Sequence, residues 1–149
     1  MRAVAQRVKR ARVVVDGEVV GAIDAGLLVY LGAAQADTEA DVTYTAQKLA
    51  GLRIFEGDDG KISLSVTDIQ GGILVVPQFT LFGDVRSGRR PSFEGAAPPD
   101  EANQRFEQTV TELKKTGLAV ATGRFRAMMD VESVVAGPFT ILIDSRKLF

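Results

Sequence analysis

Two polar side chains stand directly behind a run of apolar ones. Ile73, Leu74, Val75 and Val76 lead through Pro77 to Gln78, Phe79 and Thr80, and Leu81, Phe82, Gly83 and Asp84 follow. A carboxamide, a hydroxyl and free backbone N–H groups are thus offered at the mouth of a buried strand, where Pro77, lacking an N–H, ends regular pairing. The chemistry open to them is narrow. The chain contains no histidine and no cysteine, which removes Ser-His-Asp and Cys-His nucleophilic catalysis and zinc held by histidine or thiolate. Thr80 has no evident base beside it in sequence, so a threonine nucleophile has little support. The residues fit better a site in which oriented N–H groups stabilise an oxyanion and the substrate lends the remaining chemistry. No metal and no cofactor is expected. A plain core strand with a solvated loop behind it is the competing reading.

The elements that must position these groups follow from patterning. Arg2–Val8 and Ala11–Val15 read as strands, and Asp16-Gly17 joins the second to Glu18–Ile23 as a hairpin, because Asp-Gly supplies the positive φ angles of a type I′ turn. Leu27–Leu31, between Gly26 and Gly32, is a further strand. Arg7, Lys9, Arg10 and Arg12 gather in the first meander, where edge charge discourages aggregation. A first helix is predicted from Asp37-Thr38, either of which can cap it, with Glu39 and Asp41 at the positive end of the dipole. Val42, Ala46 and Leu49 recur at helical spacing and Gly51 ends the run. Leu52–Phe55 makes a short strand. Glu56–Lys61 is an acidic turn without the ligand spacing of a calcium loop. Asp68–Gly72 turns the chain into the central strand Ile73–Val76. Ala96-Ala97-Pro98-Pro99 precedes a second helix, opened by Asp100 and Glu101, striped by Ala102, Phe106, Val110 and Leu113 and closed by Gly117. Leu118–Thr122 reads as a strand, and Phe125–Met129 fits no class. Ser133–Val135 and Phe139–Ile143 are two apolar runs separated at Ala136-Gly137-Pro138, which predicts a tight, exposed turn there.

At 149 residues, with 46% hydrophobic and 25% charged residues, this is an α/β single domain over residues 1–149. The expected core is a mixed, mostly antiparallel β-sheet, barrel-like, covered by two main helices. A net charge of −1 means that a polyanion has to be met by local patches. Absent cysteine, a polar-apolar alternation at the start and no apolar run of spanning length give the expectation of a soluble, cytoplasmic protein without membrane contact.

Several blocks together resemble the bacterial D-aminoacyl-tRNA deacylases. They are Gln6-Arg7-Val8, Pro77-Gln78-Phe79-Thr80-Leu81 with Gly83-Asp84, Gly88-Arg89-Arg90-Pro91-Ser92-Phe93, Phe125-x-Ala127-Met128-Met129, and Gly137-Pro138-x-Thr140. The similarity runs from Met1 to Asp144 with matching spacing. It implies a homodimeric carboxylic ester hydrolase that proofreads aminoacyl-tRNA, cleaving a D-amino acid, or mischarged glycine, from the 3′-terminal adenosine. It further implies that Gln78, Phe79 and Thr80 line the adenosine and ester, and that backbone N–H groups polarise the carbonyl while the tRNA 2′-OH assists. Gly137-Pro138 of the partner subunit would face this block through a cis bond and reject L side chains sterically. Pro77, Leu81, Arg7, Ala127, Met128 and Met129 join the substrate-binding set by the same match, and Arg86, Arg89 and Arg90 are candidates for the acceptor stem.

Two departures bear on substrate range. Pro77 stands where that family usually has Ser, and Val135-Ala136 where polar residues commonly precede Gly-Pro. A related animal group that edits L-alanine has Pro-Gln at the first position but Ala in place of Phe79, so Phe79 keeps this chain with the D-specific class. A tRNA- or RNA-binding module without catalysis stays open, with Arg86, Arg89 and Arg90 gripping phosphate and Phe93 stacking a base. So does a structural homodimer sealed by its Gly-Pro loop.

Overall fold

The structure, a computed structural model, describes residues 1–149. In chain order the strands are β1 (Arg2–Val15), β2 (Glu18–Ile23), β3 (Gly26–Gly32), β4 (Arg53–Glu56), β5 (Ile62–Ser65), β6 (Gly72–Pro77), β7 (Ala119–Thr122) and β8 (Asp130–Asp144). The helices are α1 (Glu39–Gly51) and α2 (Pro99–Lys114). The main sheet runs β2-β1-β3-β6-β7, with β8 on the outer side of β1. Pairs of β1 with β2, β3 and β8 are antiparallel, whereas β3–β6 and β6–β7 are parallel. The sheet curls until β7 returns to β2, and the barrel almost closes there. Gly21 makes this approach possible, since a Cβ on it would run into the Thr122 carbonyl.

Local chemistry accounts for most of these elements. Asp16 and Gly17 have φ of 50° and 78°, the primed turn expected from the Asp-Gly pair. Thr38, not Asp37, caps α1. The Asp41 carboxylate accepts from the Thr38 N–H (2.8 Å) and hydroxyl (2.9 Å). Asp37 is drawn inward instead, accepting the Ala34 N–H (2.6 Å) and pairing with the Met1 amine at 3.0 Å. Pro98 and Pro99 set the start of α2.

The central strands β3 and β6 are buried on both faces, which explains why they read as unbroken apolar runs. Leu27, Val29, Leu31, Ile73 and Val75 pack under Val42, Ala46 and Leu49 of α1 and Phe106, Val110 and Leu113 of α2. Leu28, Leu74 and Val76 fill the other side with Val8, Ala11, Val13 and Val15.

Three expectations are corrected. The first two strands are one continuous β1, bent by register shifts near Val8 rather than broken. The acidic turn joins β4 to β5 as the expected hairpin, but this hairpin forms a separate two-stranded sheet rather than part of the main one. Gly137-Pro138 is exposed but does not separate two strands. It lies inside β8, where pairing with β1 skips between Gln6–Thr140 and Val8–Val135. A proline is accommodated there because the irregularity removes the need for its N–H, and because β8 pairs on one side only.

Candidate functional site

The three parallel strands β3, β6 and β7 end on the same side, and the chain leaving each one walls a cavity of about 680 Å³. Leu31, Gly32 and Ala33 come from β3, Val76 through Thr80 from β6, and Phe125 through Met129 from the turn after β7. Pro99, Ala102 and Phe106 of α2 and Phe93 of the loop after β6 complete it. Ala102, expected in the core stripe, faces this space, and its small side chain leaves it open.

Beyond Pro77 the chain forms a short 3-10 turn, Phe79–Phe82. Gln78 N–H still extends the sheet by donating to the Leu31 carbonyl at 2.8 Å. The turn's own bonds begin with the Leu81 N–H to Gln78 and end with the Gly83 N–H to Thr80. The N–H groups of Phe79 and Thr80 precede the first of these and donate to no main-chain carbonyl. Two adjacent donors are therefore left free at the cavity wall. The Thr80 hydroxyl accepts from the Gln78 carboxamide. Phe79 is 56% exposed and meets Phe93 edge-on, centroids 5.1 Å apart.

Arg126 is the only charged side chain among the cavity's lining residues. No carboxylate, lysine or phenol side chain lines it, so the wall contains no side-chain general base; an arginine does not lose its proton.

Other predicted site residues lie elsewhere. Within one chain neither Leu81 nor Arg7, Gly137 or Pro138 lines the cavity. The Leu81 carbonyl accepts from Arg2 (3.1 Å), which also pairs with Asp144 (3.0 Å) and so ties the 3-10 turn to β8. Arg7 holds the Gly-Pro segment. Its guanidinium donates to the Ala136 carbonyl (3.2 Å) and to Ile54 (2.7 Å) and lies 4.6 Å from the Phe139 ring centroid. The Gly137–Pro138 peptide is cis. Gly137 has φ 119°, a backbone state that favours glycine, and a Cβ there would stand 2.9 Å from the Arg7 guanidinium and push it aside. Ala127, Met128 and Met129 do line the cavity, Met128 with 92% of its surface exposed.

The basic loop is a small hairpin closed by mutual bonds between Asp84 and Ser92. Arg86 is spent within it. Its guanidinium grips the Asp84 carboxylate (2.9 Å and 3.0 Å from Nε), and those hydrogen bonds hold that carboxyl down to about 2. Arg89 and Arg90 are exposed and make no ion pair.

Residues 4–144 match the family described as D-Tyr-tRNA(Tyr) deacylase. The chain belongs to that family. A D-aminoacyl-tRNA deacylase of Thermotoga petrophila is 56% identical over 149 residues, covering all of both chains. One of Heliobacterium modesticaldum is 57% identical over 146 residues, 98% of this chain and 97% of that one. Among solved structures, the c-Myc DNA Unwinding Element Binding Protein superposes with a TM-score of 0.91 at 40% identity, over 97% of this chain and 98% of that one. A probable eukaryotic D-amino acid tRNA deacylase shares the fold at 18% identity, TM-score 0.79, over 95% and 97% of the two chains. Membership of the deacylase family agrees with the resemblance carried by the motif blocks.

Sequence reasoning passed over Phe106, Phe125 and Arg126 as site residues. Phe106 sits on the helical stripe and is buried, so its pattern signals core alone. Arg126 takes up φ 63°, a backbone state that no side-chain pattern announces.

Proposed function

We propose that this chain is a D-aminoacyl-tRNA deacylase, hydrolysing the ester between a D-amino acid, or glycine mischarged on tRNA(Ala), and the 3′-terminal adenosine of tRNA. The observation that carries the reading is a roomy, largely apolar cavity that offers two unpaired N–H groups and no side-chain base. The Phe79 and Thr80 N–H groups stabilise the oxyanion of the tetrahedral intermediate, where such donors act most strongly. The neighbouring 2′-OH of the adenosine assists the attacking water and the leaving oxygen. Gln78, Phe79, Thr80 and Pro77 line the nucleoside and ester, with Ala127, Met128 and Met129 across from them. Arg89 and Arg90, with Arg86 at the base of their loop, meet the acceptor stem. A tRNA substrate supports a cytoplasmic setting for the reaction.

The reading includes a homodimer. β8 is paired only with β1, which leaves its outer side as a long open edge, and Phe79 and Met128 stand exposed at the cavity rim. A second copy covers these surfaces and brings its Gly137-Pro138 segment to the cavity, where its backbone excludes an L side chain and leaves space for D and for glycine.

Paired D-Tyr-tRNA and L-Tyr-tRNA test the whole reading. Release of D-tyrosine with the L-ester left intact is the expected result. Tight binding without release makes the protein a tRNA-binding module, and equal hydrolysis of both esters removes the chiral role of the Gly-Pro segment.

A further inference from the structure

The cavity does not end at Phe106 and Phe125. Both residues also line a second, more polar groove of about 500 Å³ that runs between α2 and the segment after β7. Lys114 on α2 and Arg124 after β7 stand in it, and Arg126, two residues on, lines the first cavity. None of the three takes part in a salt bridge, whereas the adjacent Lys115 is neutralised by Glu112 at 2.5 Å. One acid, Glu107, faces them in the groove, and it accepts from Asn103 (3.2 Å) rather than from a cation. In a chain of net charge −1 this is a local surplus of positive charge, and it is continuous with the site.

Arg126 has a backbone conformation that L residues seldom adopt, φ 63°. Its turn is fixed on both sides, by the Ala127 N–H to the Arg124 carbonyl (3.2 Å) and by the Arg124 N–H to the Met129 sulfur (3.4 Å). The backbone that carries Arg126 is thereby fixed at the wall of an apolar cavity, and its exposed guanidinium forms no ion pair within the chain.

We infer that this groove is the track for the sugar-phosphate backbone of the substrate's single-stranded 3′ end. Arg126 takes the phosphate next to the terminal nucleoside, Arg124 and Lys114 take the phosphates before it, and Phe125 offers a ring between the two spaces. The inference rests on the first cavity receiving the terminal nucleoside ester. Its chemistry is that of an extended polyanion with bases free to stack.

The probe is a labelled, uncharged RNA hairpin ending in single-stranded CCA, titrated at a series of salt concentrations. In the triple variant Lys114→Gln, Arg124→Gln, Arg126→Gln, the slope of log K against log salt should fall by about two, at about 0.7 per phosphate lost from a single strand. In the double variant Lys114→Gln, Arg124→Gln, whose side chains stand in the groove and not in the first cavity, hydrolysis of D-tyrosyl-adenosine, which has no phosphate, should keep its wild-type kcat/KM. Arg126→Gly guards against a folding artefact, since glycine suits a positive φ, and should match Arg126→Gln. Arg126→Lys should restore the slope. An unchanged slope in the triple variant overturns the inference. So does an equal loss on the nucleoside ester and the RNA, which would make these side chains props of the cavity wall. A wild-type protein that binds RNA with the predicted slope but releases no amino acid would sink the deacylase reading and leave the groove assignment standing.

Discussion

At the residue scale, the unusual feature is how little side-chain chemistry the cavity contains. Thr80 is the one hydroxyl among the lining residues, and it is engaged as an acceptor by Gln78 with no base near enough to take its proton. What remains are main-chain donors, and these survive any side-chain replacement. Thr80→Ala should therefore cost less than about tenfold in kcat, in line with the loss of one exposed hydrogen bond. A substrate ending in 2′-deoxyadenosine should react about a thousandfold more slowly, within the range a positioned proton relay contributes. Single-turnover deacylation of both substrates by both proteins decides it. A dead Thr80→Ala variant, or a fully reactive deoxy substrate, would return the chemistry to the side chain. Sequence reached the identity of these residues but not their state, because a free N–H is a property of where a turn's bonding begins.

At the scale of elements, what the chain spells out locally is what proved readable. The Asp16-Gly17 hairpin, the start of α1 at Thr38 and the doubly buried β6 each depend on a few neighbouring residues. The passage of one strand through Gly137-Pro138 depends on a partner far along the chain. Val134 and Ile141 are joined in one β8 only because β1 runs past both. The helix start allows a quantitative test. Burial alone would raise the Asp41 carboxyl, but hydrogen bonds from the Ser145 hydroxyl and from the Thr38 N–H and hydroxyl outweigh it and lower it to about 2. The folded carboxylate thus titrates below the unfolded value of 3.8. Its contribution to stability is complete above that value and is lost as pH falls toward the folded one. Asp41→Asn should destabilise the protein by about 1 kcal/mol at neutral pH, the usual worth of such a cap. Denaturant melts of the two proteins should converge as pH is lowered from 4 toward 2, the interval between the two values. A gap that stayed constant over that interval would assign the loss to packing.

At the scale of the whole molecule, the chain holds two parts of one proposed device in places that do not meet. The cavity is walled by the ends of β3, β6 and β7, while Gly137-Pro138 lies in β8, exposed and absent from that wall. Arg7 anchors the segment through Ala136, and Gly137 has a φ that strains any other residue. A segment held this firmly, exposed and yet no part of its own chain's pocket, makes sense if its work is done in a neighbour's. Complementation between two damaged chains tests this. One variant carries Ala102→Trp, which fills the cavity and leaves β8 untouched. The other carries Gly137→Val, which forces the segment off Arg7 and leaves the cavity open. Alone, the first should be inactive, and the second should lose its preference for D-Tyr-tRNA over L-Tyr-tRNA. In mixed dimers, made by co-expression with two different tags, the open cavity of the second chain meets the intact segment of the first. That pairing should restore D-selective hydrolysis at about half the wild-type rate per dimer, since one of two sites is whole. If each site were completed within its own chain, the mixed dimer would hold only a filled cavity and an unselective one, and L-Tyr-tRNA would be cleaved as readily as D.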